Sequence, residues 1–337
     1  GLLTVDYAVS GRGAAPADAD DFVAGTVATE TTQGTASLPG SGGSISISLT
    51  LPDGSTDASV TATGFVGSGL IAEPPVNIAY VIDISGSTGS PFAGTVPVGD
   101  LNGDGSADQI LDAEIAAFET LNARIAAASL GTGVNAAVIS FDDVAVIEGA
   151  AAPLEDADGN GRADISDLLR GLQVGGTTDF EEALQRAIEF LGAQGAGTNL
   201  VYFLSDGVPT EGIFSDEVQT LLDPAGLDAT IRAVGVGSGA SETELDLLDD
   251  GLDNDSVEII LDPADLSPRL AAAPLDPSEI DRVELRLDGQ LLRVITPSEL
   301  VATPLGLRYE AELTGLSPLV ANEVEARVVP TDPAASA

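Results

Sequence analysis

NIAYVIDISGS, residues 77–87, carries an apolar run straight into a short segment of acid, hydroxyl and glycine. Ile78–Ile82 has the length of a strand, and a near-continuous apolar run suits a strand covered on both faces of its sheet. Asp83, Ser85 and Ser87 follow at the strand's carboxyl end, where Gly86 permits a tight turn. Two later segments repeat this chemistry: GGTTD at Gly175–Asp179 opens a helical pattern, and LSDG at Leu204–Gly207 closes another apolar run. The three loops offer hydroxyls and carboxylates, and without nitrogen or sulfur such donors favour Mg²⁺, Ca²⁺ or Mn²⁺ over Zn²⁺ or Cu²⁺.

Outward from this stretch, strands and helices alternate. Strands are expected at Ile78–Ile82, Val134–Phe141, Leu200–Leu204, Thr230–Val236 and Ser256–Leu261. Leu111, Ile115, Phe118, Leu121 and Ile125 fall at helical spacing, as do Phe180, Leu184, Ile188 and Leu191, whose helix would start with a Thr178/Glu181 capping box. The pattern predicts an α/β fold with an open, mostly parallel sheet and helices on both faces. Such sheets bind ligands beyond the carboxyl ends of their strands, and Asp83 and Asp206 stand just past two of them.

The order D-x-S-x-S, then T, then D resembles the metal-ion-dependent adhesion site of von Willebrand factor A (VWA) domains, over about Val76 to Ala273. The resemblance implies the ligands Asp83, Ser85, Ser87, Thr177 and Asp206 around Mg²⁺ or Ca²⁺. With only two of the five ligands charged, the ion would keep positive charge and an open position for a carboxylate of a protein or surface partner.

Two acidic loops lie in the same region. DADGNGRADISD places Asp156, Asp158, Asn160, Asp164 and Asp167 at positions 1, 3, 5, 9 and 12 of a calcium loop, with Gly161 at the sharp turn and the Arg162 carbonyl at position 7. It resembles the loops of dockerins, which end on Asp. DLNGDGSAD places Asp100, Asn102, Asp104, Ser106 and Asp108 at positions 1, 3, 5, 7 and 9, but position 12 is Leu111, so that Asp112 would have to close it. Asp253–Asp255 reads as an acidic turn.

Both flanks read as β. Leu3, Val5, Tyr7 and Val9 alternate, as do Ile45, Ile47, Leu49 and Leu51, and the opening LTVDYAVSG with DADDFVAG at Asp18–Gly25 resembles a Calx-β repeat. Val283, Leu285 and Leu287 alternate before an Asp288-Gly289 turn, with further strands near Tyr309–Leu313 and Val324–Val329, similar to a bacterial immunoglobulin-like module. The boundaries are 1–75 (β-rich), 76–273 (VWA-like) and 277–337 (β-rich). The α/β domain is either inserted in one sandwich or set between two truncated repeats that would take a strand from another chain.

Composition removes whole classes of function. A net charge of −42, with every basic residue an arginine, excludes a nucleic-acid footprint and an anionic membrane surface. Without His, Cys or Lys there is no Ser-His-Asp or Cys-His centre and no Schiff base. The absence of Met implies a processed product or a segment of a longer polypeptide, and no apolar run is long enough to span a membrane. The expected protein is a non-enzymatic, extracellular, calcium-binding adhesion or matrix protein of a bacterial surface. The alternative is a structural protomer of a surface filament or layer, joined to other copies of itself by donated strands and calcium.

Overall fold

A computed structural model describes residues 3–8, 29–37, 44–52, 59–68, 75–92, 94–127, 133–195, 197–210, 212, 214–223, 225–248, 257–271, 277–314 and 323–331. The resemblance seen at Asp18–Gly25 and the acidic turn at Asp253–Asp255 lie outside them. The chain forms two compact units, residues 1–71 with 273–337, and residues 72–272. The first holds β1 (Leu3–Ala8), β2 (Thr29–Ser37), β3 (Ser44–Pro52) and β4 (Ser59–Ser68). The second runs β5 (Val76–Asp83), α1 (Ile110–Ala127), β6 (Val134–Phe141), β7 (Ala145–Ala151), α2 (Asp164–Arg170), α3 (Phe180–Gly192) and β8 (Thr198–Ser205). It continues through α4 (Ser215–Leu222), β9 (Ala229–Val236), α5 (Glu242–Asp246), β10 (Glu258–Ile260) and α6 (Pro263–Leu270). The chain then returns to the first unit with β11 (Ile280–Leu287), β12 (Gln290–Ile295), β13 (Val301–Thr303), β14 (Gly306–Thr314) and β15 (Glu323–Pro330).

The second unit is built on a six-stranded sheet in the order β10-β9-β8-β5-β6-β7, parallel except for the edge strand β7. Alternate residues of β5 serve opposite faces, as the pleat demands. Ala79 and Val81 join the core made with Ala183, Leu184 and Ala187 of α3 and Val218 and Leu221 of α4. Tyr80 turns the other way and meets Phe118 of α1 with ring centroids 5.1 Å apart. Helices therefore cover both faces, and β5 is buried along its whole length. The antiparallel β7 has no counterpart in the sequence reading, because AVIEGAA is half exposed and lacks a continuous apolar run.

In the first unit, the two ends of the chain build both sheets. One sheet has the order β1-β15-β11-β12 and the other β13-β14-β4-β3-β2. β1 pairs with β15, and β4 pairs with β14 from Leu307↔Val66 to Thr314↔Ser59. Ile47, Leu49 and Val66 share one core with Val283, Leu285, Val324, Ala326 and Val328, so the sheets face each other as a sandwich. Of the two arrangements left open by the sequence, this is the insertion of the α/β region into one sandwich. The strands that each flank lacks alone are supplied by the other flank. The Asp288-Gly289 turn forms as expected, with φ of 50° and 76° between paired Leu287 and Gln290.

Candidate metal centre

The carboxyl ends of β5 and β8, neighbours at the middle of the sheet, gather the three polar loops. β5 delivers Asp83 fully buried, and a single 3-10 turn at Gly86–Gly89 brings Ser87 back over it. Ser85 N–H donates to Asp83 Oδ1 at 2.8 Å, the Ser85 and Ser87 hydroxyls are 3.0 Å apart, and Ser87 Oγ donates to Asp206 Oδ1 at 2.8 Å. Asp83, Ser85, Ser87 and Asp206 thus form one connected cluster. Backbone bonds pin the middle loop against the first, Gly175 N–H to Ile84 C=O at 2.8 Å and Gly86 N–H to Gly176 C=O at 3.2 Å.

Thr178 N–H accepts no place in the capping box the sequence suggested; it donates to Thr210 Oγ1 at 3.3 Å, while Thr210 N–H donates back to Thr178 C=O at 2.8 Å. The helix starts one residue later, on Asp179, whose side chain accepts from Glu182 N–H at 3.2 Å. That shift turns Thr178 inward. It is buried, and a methyl group built on Gly207 would stand 3.6 Å from Thr178 Oγ1 and 3.8 Å from Ser87 Oγ. Thr177, the position taken from the resemblance, is exposed. Ser87, at the rim of the cluster, is exposed in the same way.

Ser205, the last residue of β8, also belongs to the centre, donating to Asp83 Oδ2 at 2.6 Å. A polar residue ending an apolar strand was the available signal for it. Glu114 on α1 was missed as well: it is completely buried, with both carboxyl oxygens unpartnered. Its signal was an acid on the apolar face defined by Leu111, Ile115 and Phe118. Burial pushes the Asp83 carboxyl up to about 6, against hydrogen bonds from Ser205 and Ser85 that lower it, with the Asp206 charge adding to the rise. Burial raises Asp206 too, opposed by the Ser87 bond, and raises Glu114 well above the carboxylate range with help from the charges of Asp83 and Asp206. Buried acids whose charges raise one another suit a cation, which would offset burial and mutual repulsion at once.

The acidic loops differ from each other. In the second, Asp156, Asp158 and Asp164 bring carboxylate oxygens within 4.8 Å of one another, the one such group of three among the described residues. Asp156 accepts from Asn160 N–H at 3.1 Å and Gly161 N–H at 3.0 Å, and Gly161 takes φ of 84° at the turn. Asp167, at the closing position, accepts from Asn160 Nδ2 at 2.7 Å and from Arg162 Nη1 at 3.0 Å, while α2 begins at Asp164. In the first loop, Asp100 accepts from Gly103 and Gly105 N–H, Asn102 from Asp104 N–H, and Asp104 from Ser106 N–H. Asp108 turns to Val98 and Gly99 N–H, and buried Asp112 spends its two oxygens on Leu101 N–H at 2.7 Å and Gln109 N–H at 2.9 Å. Asp112 ties the loop to the start of α1, as an acid in a first helical turn does.

No protein-family model matches the chain, and no curated protein matches it. Solved structures do. A von Willebrand factor type A protein from Catenulispora acidiphila is 18% identical over 81% of this chain and 62% of its own, with a TM-score of 0.42. The pilus adhesin SpaC from Lactobacillus rhamnosus GG is 14% identical over 85% of this chain and 43% of its own, with a TM-score of 0.44. The mussel-byssus proximal thread matrix protein 1, in a form with a zinc-occupied MIDAS motif, is 18% identical over 62% of this chain and 45% of its own, with a TM-score of 0.43. The chain thus spans less than two thirds of each of these structures. Among the described residues no helix is long and apolar enough to cross a membrane.

Proposed function

We propose that this chain is a VWA-type adhesion module of a bacterial surface or matrix protein, which binds an acidic group of a partner through a divalent cation. The observation that carries this reading is the convergence of Asp83, Ser85, Ser87 and Asp206 into one hydrogen-bonded cluster at the carboxyl ends of β5 and β8. Thr177, exposed like Ser87, completes the ligand set that the resemblance implies, with Thr178 buried behind it. The donors are all hard oxygens, which fits Mg²⁺ or Ca²⁺, and the ion would supply Lewis acidity toward a carboxylate. The protein's own residues hold the ion, and Ser87, exposed at the rim, faces the incoming group. No histidine or lysine is present to move a proton, which supports a binding role.

The Asp156–Asp167 loop is a structural Ca²⁺ site in this reading. Calcium modules outside cells work with dissociation constants of about 10⁻⁴–10⁻³ M, which matches an extracellular protein. The first loop, Asp100–Asp112, has its acids committed to backbone N–H groups and is proposed only as a weaker Ca²⁺ site. The test is binding of the protein to carboxylate-bearing matrix proteins with Mg²⁺, with Ca²⁺ and with chelator. Binding that needs the cation and is lost in Asp206→Ala supports the reading, and binding unchanged in chelator defeats it.

A further inference from the structure

The metal-site reading, on which this inference rests, leaves Glu114 without a role. Glu114 lies on α1 among Leu111, Ile115 and Phe118, and its side chain is completely buried. Neither carboxyl oxygen has a hydrogen-bond partner, and no arginine pairs with it among the described residues. A buried acid in that state is among the costliest placements a side chain can have, and leucine or alanine would serve packing alone better. Its helix packs against β5, which ends on Asp83, and against the 3-10 turn Gly86–Gly89 that carries Ser87, so this buried acid belongs to the layer directly beside the candidate centre.

We infer that Glu114 is a third acidic member of the cation centre, a positioning residue that accepts hydrogen bonds from the water ligands of the ion held by Asp83 and Asp206. It contacts none of the hydroxyls of the cluster, which fits a place behind the ligands and not among them. An ion with its waters would give both orphaned oxygens donors and would give three neighbouring acids a common counter-charge. Outer groups of this kind are typically worth about 10–100-fold in metal affinity. The acid on the apolar stripe of α1 thereby acquires a chemical reason.

The experiment titrates the full chain with Mn²⁺, followed by electron paramagnetic resonance, in wild type, Asp206→Ala, Glu114→Gln and Glu114→Leu. Asp206→Ala identifies the binding event that belongs to this centre and separates it from the acidic loops. Both Glu114 variants are expected to weaken that same event about 10–100-fold. Glu114→Leu should at the same time raise the melting temperature in chelator, because it removes an unpaired buried acid. A merely structural Glu114 would shift melting and leave Mn²⁺ affinity alone, and that result overturns the inference while the metal site stands. If Asp206→Ala removes no binding event, the site reading fails and this inference fails with it.

Discussion

Ser87 Oγ donates to Asp206 Oδ1 at 2.8 Å across 119 residues of sequence, joining the loop after β5 to the loop after β8. A hydrogen bond to a carboxylate is worth about 1.5–3 kcal/mol, so this contact holds two loops in register before any ion arrives. The two strands are direct neighbours in the sheet, and the bond spans the gap between their ends. Partner binding should therefore depend on residues that face this gap.

Thr178→Ala should weaken cation-dependent binding at least about tenfold, since even outer groups at a metal centre are worth that much. Thr177→Ala should weaken it at least as much, because Thr177, exposed at the rim like Ser87, is the hydroxyl that the resemblance assigns to the ion. Isothermal titration of the two variants with Mg²⁺ checks this, and an affinity unchanged in Thr177→Ala would remove Thr177 from the ligand set.

Acid should act in opposite directions on the ion-free fold and on the ion. The folded Asp83 carboxyl lies at about 6 against an ordinary 3.8, so the native state holds the extra proton between those values. A raised folded pKa contributes stability that is complete below the unfolded value and is lost as pH rises through 6. The contribution is about 3 kcal/mol for this residue. Cation binding needs the ionised form and should fall up to about tenfold for each pH unit below 6. Melting in chelator from pH 4 to 7, wild type against Asp83→Asn, reads the first effect, and Mn²⁺ titrations at pH 5 and 7 read the second. Mn²⁺ affinity that does not change with pH would show Asp83 outside the centre.

Calcium should stabilise the α/β unit through the second acidic loop. At 10–100 times the dissociation constant, one ion contributes about 1.4–2.7 kcal/mol, which raises a unit of this size by several degrees. Asp158→Ala should abolish that gain. Arg162→Ala should tighten Ca²⁺ several-fold, because the exposed Arg162 guanidinium occupies Asp167, the closing acid, at 3.0 Å. Calorimetric melting with and without Ca²⁺ checks both, and a Ca²⁺ gain that survives Asp158→Ala would place the ion elsewhere.

Gly64→Ala should damage the sandwich and spare the cation centre. A methyl there would stand 2.2 Å from the Ser48 carbonyl oxygen and 2.4 Å from Tyr309 Oη, where β3, β4 and β14 meet. Overpacking of this kind costs about 1–3 kcal/mol. The expected result is an earlier melting of the sandwich with Mg²⁺ affinity unaltered, and a fall in Mg²⁺ affinity would show that the two units are coupled.

The α/β unit was legible because its signals are local. Apolar runs such as Ile78–Ile82 and the spacing of Leu111, Ile115 and Phe118 announce their elements within a few residues. The helix after the middle loop caps on Asp179 and not where the capping-box pattern pointed, because a helix start fixes which of two adjacent threonines turns inward: Thr178 is buried and Thr177 exposed. The closure of the sandwich was unreadable for a different reason. Leu307↔Val66 and Leu3↔Val328 are pairings of strands far apart in sequence, and a strand's own residues do not name its partner. Glu114 needed the fold too, since only in the folded unit does α1 pack beside β5 and the turn that follows it.

The antiparallel pairing of β1 with β15 also sets how the chain bears load. Leu3 lies opposite Val328, so the start of β1 and the finish of β15 stand at the same end of one strand pair. Tension applied between Leu3 and Pro330 peels that ladder open one rung at a time, and does not shear all its hydrogen bonds together. Peeling yields at lower force than shearing, so this pair is the mechanical fuse of the chain.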